Sequence, residues 1–564
     1  MAQERPDVQL PVTFFGDESF PVEWESEEEK QLFWWWDDLH CPNPLSPMFF
    51  ELGGWWATCA YLYRRFGAPF GRDWKAKLIN GYLFTAVVPR DPKEAEELAP
   101  YYSMVMPVYA EKGLEWWQKR LRPEIERNFE YLDTYPYETA TLPELMVLLE
   151  DAIDIQERHW RIHWILNLSQ FQASLDFQTA VREVIGEVDP TLLERIMVSD
   201  SDRNWDAVHG LWELKERVKR NAVLTEAFSK ETPAEILAEL EKTVEGREFL
   251  RWLDEYKREF GHKALYSHEY IYPTWYENPA PIIAAIQGYL QTDYSYPEAI
   301  QRLRQDRDAA IQELLSKIPP GDVRGRERVE AALHRVLQMM PLTPDHHFYI
   351  DQGTFARMRY VLLAIGRRLV ESGLLDQPDD VLFLRYHELR VLAAEPSNLP
   401  NAKELVRQRR EARERAFAIR PRDWVGTASE WALFQEPYKT LWGYPQRFFD
   451  SLKPREVSQR IEGIPASAGV IEGTAFVAKT LEDVDALKGG EILVCRMTNP
   501  AWVIAFTKIA GLVTDSGGQL SHPAVVSREF GIPAVVGTGV ATQVIKTGQR
   551  IRVNGSTGVV EILG

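Results

Sequence analysis

The stretch that decides the reading is Thr514-Asp515-Ser516-Gly517-Gly518-Gln519-Leu520-Ser521-His522, continued by Pro523-Ala524-Val525-Val526-Ser527-Arg528-Glu529-Phe530-Gly531-Ile532-Pro533. A glycine pair precedes one histidine, and a short helix is predicted to start beside it. Ser521 is a suitable N-cap, and Pro523 falls in the first turn, where its missing N–H removes no intrahelical bond. Ala524 to Phe530 then form the helix, Gly531 stops it and Pro533 lies beyond. His522 therefore sits where unpaired backbone N–H groups and the positive end of the helix dipole favour an anion. An imidazole nitrogen at such a place is suited to carry a phosphoryl group. A lone histidine is more often simply packed or solvated, so the surrounding sequence has to carry the argument.

Working outward, short β-branched runs flank this segment: Gly469-Val470-Ile471, Gly473 to Ala478, Glu491 to Val494, Gly511-Leu512-Val513, Ala534-Val535-Val536 and Arg550 to Val553. Helices separate some of them, which predicts a compact α/β unit over 456–564. Gly537-Thr538-Gly539-Val540-Ala541-Thr542 lacks the third glycine and the placed acidic residue of a dinucleotide loop, so it reads as a turn.

Before residue 455 the chain is built differently. It holds 18 of the 19 tryptophans, and its amphipathic runs predict helices over 142–168, 234–259, 298–318, 326–340, 356–372 and 401–419. The expected architecture is multidomain: a mainly α-helical domain over 1–455, with a possible subdivision near 90–140, and the α/β domain over 456–564. A length of 564 residues is too great for one core. The net charge of −19 leaves no basic stripe for nucleic acid. Cys41, Cys59 and Cys495 make neither a paired framework nor a close metal-ligand spacing. The N-terminus lacks a signal-peptide layout, and no apolar run reaches membrane-spanning length, so a cytoplasmic protein with no membrane partner is expected.

The segment from Gly463-Ile464-Pro465-Ala466-Ser467-Ala468-Gly469, through Thr498-Asn499-Pro500-Ala501-Trp502 and the His522 run, to Val553-Asn554-Gly555 resembles the swivelling phosphohistidine domain of the phosphoenolpyruvate-utilising enzymes. That family includes pyruvate phosphate dikinase, phosphoenolpyruvate synthase, rifampin phosphotransferase and phenylphosphate synthase. Pro523 and Ser527 stand where the family usually has alanine, and both suit the helix. Leu520 stands where the plant dikinases carry a regulatory threonine. Further left, Tyr256 to Lys263 with Glu269, Pro273, Trp275 and Asn278-Pro279, then Asp345 to Gln352 with Arg359 and Asp379 to Leu384, resemble the helical domain of rifampin phosphotransferase-like proteins.

The resemblance implies that His522 is the phosphoryl carrier and that Thr514, Gly517, Gly518, Ser521 and Arg528 shape the loop around the group. No glycine-rich phosphate cradle precedes residue 455. The expectation is therefore a split system, in which a separate ATP-grasp subunit holds ATP and Mg²⁺ and places the β,γ-phosphates on His522. Water then releases phosphate, and the remaining phosphoryl group passes to a small aromatic alcohol, a phenol or hydroxyphenyl ketone. A rifamycin-type antibiotic phosphotransferase component, or a non-catalytic ligand-binding regulator, are the alternatives.

For the acceptor site the candidates are Trp34, Trp35 and Trp36 as a ring platform, with Asp38 or His40 as proton acceptor. His262, Lys263 and Glu269 form a second polar group. His347 belongs to the Asp345–Gln352 run, and Arg357 and Arg359 are candidates to neutralise the travelling phosphoryl group. Plain packing or ion-pair duty is the competing expectation for each. His159 and His163 have helical metal-ligand spacing but no evident third ligand, so packing is expected and no metal site is assigned.

Overall fold

A computed structural model of the chain describes residues 8–291, 294–439, 443–452, 459–478, 482–498, 502–506, 508–517 and 522–563. Two compact units emerge. The first comprises Met1–Leu175, Tyr266–Tyr272 and His346–Lys453; the second comprises Asp176–Leu265, Pro273–Asp345 and Pro454–Gly564. The grouping therefore places 454–564 together with two helical segments, and divides the helical part at Leu175/Asp176 rather than near 90–140. That point lies inside the 43-residue helix Leu142–Val184. A division inside a continuous helix has no glycine, proline or polar linker to announce it in sequence.

In the first unit the helices are joined by a five-stranded sheet that helical periodicity alone does not suggest. Its strands are β1 (Val12–Phe14), β2 (Phe33–Trp36), β3 (Asp73–Ile79), β4 (Tyr82–Val88) and β5 (Trp424–Ala428), in the order β1-β5-β2-β4-β3. Strand β2 is the tryptophan triplet itself. Alternation sends Trp34 and Trp36 to a core with Phe20, Tyr82, Phe84 and Val425. Trp35 faces the other side, 5.9 Å from the Tyr444 ring, with the Arg447 guanidinium 4.3 Å above it.

In the second unit the strands are β6 (Arg460–Glu462), β7 (Ile464–Ser467), β8 (Val470–Ala478), β9 (Ile492–Cys495), β10 (Gly511–Thr514), β11 (Ala534–Val536), β12 (Arg550–Asn554) and β13 (Val559–Ile562). They form one sheet in the order β6-β13-β12-β8-β9-β10-β11-β7. Strands β8 to β11 run parallel, with antiparallel neighbours at each side. Strands β9, β10 and β11 are buried throughout, which is why they read as short apolar runs. Leu493, Leu512 and Ala534 pack on one face with Trp502, Phe506 and Ala524; Ile492, Val513 and Val535 pack on the other with Ile551 and Val553. Gly555 allows the close crossing that holds this sheet together, since a Cβ there would stand 1.8 Å from the Ser467 carbonyl oxygen.

Helix His522–Phe530 lies between β10 and β11 and ends in a Schellman motif. The Ile532 N–H donates to the Ser527 carbonyl at 2.9 Å, that of Gly531 donates to Arg528 at 3.2 Å, and Gly531 adopts φ +65°. Phe530, its last residue, stacks 5.9 Å from both Tyr289 and Tyr294 of the same unit. Among the described residues, no helix is long and apolar enough to cross a membrane.

Candidate functional site

The loop after β10 leaves the carboxyl end of a parallel strand, the side of an open α/β sheet where ligands gather. Thr514 is fully buried and its hydroxyl donates to the Ser516 carbonyl at 2.8 Å. Asp515 accepts from the Thr538 hydroxyl and the Thr542 N–H, each at 3.1 Å, while its second oxygen bonds the Thr542 hydroxyl. Burial raises its pKa, against the pull of these donors. Gly517 has φ +119°, a conformation side chains resist, and a Cβ at Gly537 would meet its carbonyl at 2.8 Å. The 537–542 turn thus braces the loop from the side, which is the structural task of its glycines. Both Asp515 oxygens thus accept from donors of this turn.

His522 is the first residue of the nine-residue helix, at its N-terminal, partially positive end. Of His522 the backbone alone is described, and Gly518 and Ser521, expected in the same loop, lie outside the described residues. Arg528 is not turned solely to the loop: its Nε donates to the Ala466 carbonyl at 2.6 Å and ties the helix to β7.

The sequence matches the model of the PEP-utilising enzyme mobile domain over residues 487–558, which contain β10, His522 and its helix. It also matches that of the rifampicin phosphotransferase fourth domain over 168–343. Over 487–558 the chain is thus similar to the PEP-utilising enzymes. Chondramide synthase cmdD of Chondromyces crocatus is 29% identical across 96% of this chain, which covers 14% of that protein. The uncharacterized phosphotransferase YvkC of Bacillus subtilis is 29% identical over 71% of this chain and 47% of its own length. A rifampicin phosphotransferase of Bacillus cereus is 30% identical over 51% of this chain and 32% of its own. The chain therefore spans less than half the length of each of these relatives.

The first unit holds a cluster of ionisable side chains and rings, assembled from four distant segments. His40 Nδ1 lies 2.8 Å from Asp37 Oδ1. Desolvation lowers the His40 pKa, but about a third of the side chain stays accessible (31%), and the Asp37 carboxylate raises it above the usual value on balance. From His40 a chain of rings runs inward: 5.0 Å to His268, 6.2 Å from there to Trp160, 4.5 Å to His163 and 4.4 Å to His346. Trp55, Trp164 and Phe355 wall this chain. Asp351 is buried, with Oδ1 3.7 Å from His163 Nδ1 and Oδ2 3.3 Å from His347 Nε2. Burial pushes its carboxyl up to about 8, although His40 pulls the other way, and burial together with His346 holds His163 well below the ordinary imidazole value.

A π-helix, His347–Thr354, makes this meeting possible. His347 and Asp351, four residues apart, share one side of it, and such segments recur at functional sites. His346 ends the helix before it and His347 opens it, His163 comes from the long helix, His268 from the short Tyr266–Tyr272 insertion and His40 from the turn after β2. The adjacent histidines and Asp351 are visible in the sequence; their meeting with His163, more than 180 positions away, is not.

The other candidates are used differently. Trp34, Trp35 and Trp36 pack on both faces of a sheet instead of forming a ring platform, because a strand sends neighbours to opposite sides. Asp38 pairs with Arg447. Glu269 accepts from the Ser46 N–H at 2.6 Å and hydroxyl at 2.7 Å, tying the insertion to the segment after β2. His262 and Lys263 belong to the second unit: His262 Nε2 lies 3.1 Å from the Arg258 carbonyl, and the Lys263 ammonium sits 3.8 Å over the Trp275 ring, its pKa lowered to about 7 by burial. Arg357 pairs with Asp133 at 2.6 Å and stacks on Phe129, while Arg359 donates to the Tyr270 and Ile271 carbonyls. Both arginines brace the first unit. His159 is satisfied by Thr354 at 2.8 Å and Asn128 at 3.1 Å.

Proposed function

We propose that this chain is the acceptor-binding and phosphohistidine part of an ATP-dependent dikinase. One observation carries the reading: His522 heads a helix at the carboxyl end of a parallel strand, behind a loop braced by Asp515, in the segment matched by the PEP-utilising mobile domain. ATP, held with Mg²⁺ by a separate ATP-grasp subunit, supplies the phosphoryl group. The helix N-terminus and loop N–H groups stabilise its charge on His522, since such transfers depend on positioning and electrostatics.

The acceptor is a small aromatic alcohol bound against the rings of the first unit. His40 accepts the hydroxyl proton while Asp37 fixes its tautomer. As that proton leaves, the acceptor oxygen bonds to phosphorus, the phosphorus–nitrogen bond breaks and the His522 imidazole is released. Burial of the surrounding rings keeps water from competing as acceptor.

The test is labelling with ATP carrying radioactive phosphorus at the β position, with and without the candidate ATP-grasp subunit. Acid-labile label that needs the partner and vanishes in His522→Ala supports the reading. Absence of label in every pairing overturns it and leaves a ligand-binding regulator.

A rifamycin-type acceptor is the second reading, favoured by the match of 168–343 to a rifampicin phosphotransferase domain. Chasing the label with phenols, hydroxyphenyl ketones and rifampicin in parallel separates the two.

A further inference from the structure

The geometry points to a divalent transition-metal site in the first unit, built by His163, His346 and Asp351. One ligand atom from each lies within 4.8 Å of the others, and all three residues are buried. His163 Nδ1 and Asp351 Oδ1 face each other at 3.7 Å, too far for a hydrogen bond, and neither atom has a hydrogen-bond partner. Leaving two such atoms buried and unsatisfied is unfavourable. Two ligands on one ion at about 2.1 Å stand about 3.4 Å apart in a tetrahedron, so an ion between these atoms accounts for a spacing that a hydrogen bond does not.

The surroundings are those of a ligand set. The His163 and His346 rings stand 4.4 Å apart at 88°, edge to face rather than stacked. Asp351 turns its other oxygen to His347 Nε2 at 3.3 Å, the kind of outer contact that fixes a ligating carboxylate. His347 keeps 43% of its side chain accessible, which leaves an approach to the centre. The π-helix supplies Asp351, and His346 is the residue that caps its start.

Two imidazoles and one carboxylate suit Zn²⁺, Fe²⁺, Co²⁺ or Mn²⁺ and leave coordination positions open, unlike the oxygen cages of Mg²⁺ and Ca²⁺. An open position would take the acceptor hydroxyl, and the metal would lower its pKa close to the His40–Asp37 pair. That role rests on the phosphoryl-transfer reading; the site itself does not.

The decisive experiment titrates the chelator-treated chain with Co²⁺, followed by visible absorption, with Zn²⁺ as competitor and Mg²⁺ as control. Expected is one equivalent of Co²⁺ with the intense bands of a low-coordinate nitrogen–oxygen site, displaced by Zn²⁺ and untouched by Mg²⁺. Asp351→Asn, nearly isosteric, and His163→Gln should abolish the bands while circular dichroism stays unchanged, and wild-type Tm should rise with Zn²⁺. Absence of a stoichiometric Co²⁺ spectrum in the wild type, or bands that persist in both variants, overturns the site and leaves a packed ring cluster. The titration uses unphosphorylated protein, so its failure leaves His522 labelling as a separate question.

Discussion

The His522 module and the histidine-rich interior of the first unit assemble reactive groups in opposite ways. In the module, β10, the glycine loop, His522 and the helix follow one another within about two dozen residues, so local turn chemistry and capping position them. In the first unit, His40, His163, His268, His346 and Asp351 arrive from four segments and meet only after the sheet and helices pack. Contiguity makes one centre readable and portable. Dispersal makes the other dependent on the whole unit.

The sharpest break of this contrast is His522→Ala. Acid-stable background should be all that remains of the label, and transfer to any acceptor should vanish; transfer that survives would place the carrier elsewhere. Next is His40→Ala, which should lower acceptor transfer by about 10²–10⁴-fold while label still accumulates on His522. Equal loss of both steps would show that the two centres are not chemically separate.

The pH dependence sharpens the same point. His40 must be neutral to accept a proton, and Asp37 raises its pKa, so transfer should fall as pH drops through that raised value. In Asp37→Asn the acid limb should move to lower pH, with reduced rate, in a single-turnover pH profile. An unmoved limb would remove Asp37 from the dyad.

Stability effects come lower in size. Gly555→Ala forces a Cβ against the Ser467 carbonyl, where backbone has to give, and should cost about 2–4 kcal/mol in urea unfolding of the second unit. Trp35→Phe should cost only about 1–2 kcal/mol and leave acceptor KM unchanged, because that indole packs on Tyr444 and Arg447. A large KM effect there would restore the tryptophan triplet as a binding platform.

Much of the fold follows from short-range pattern. Helix His522–Phe530, its glycine stop and strand β11 lie where capping, φ preference and β-branching predict them. The amphipathic runs over 298–318 and 326–340 correspond to helices Tyr296–Ser316 and Val323–Met339. The first-unit sheet escapes that reading because its central strand β2 is four consecutive buried aromatics with no alternation of polarity, and its partner β5 lies almost 400 residues away. The acceptor chemistry escapes for the same reason. Arg357 and Arg359 look like phosphate ligands by type, yet Asp133 and two carbonyls claim them. His163 looks idle until the π-helix supplies its neighbours.

The π-helix also makes spacing part of the code. His347 and Asp351 share a side because they stand four residues apart on helical backbone. Deleting one residue between them would swing the carboxylate by about 100° around the axis while leaving every named side chain in the chain. Among descendants of this sequence, loss of the centre would then show as a one-residue gap in an alignment rather than as a changed letter, and a search for ligand residues alone would pass over it.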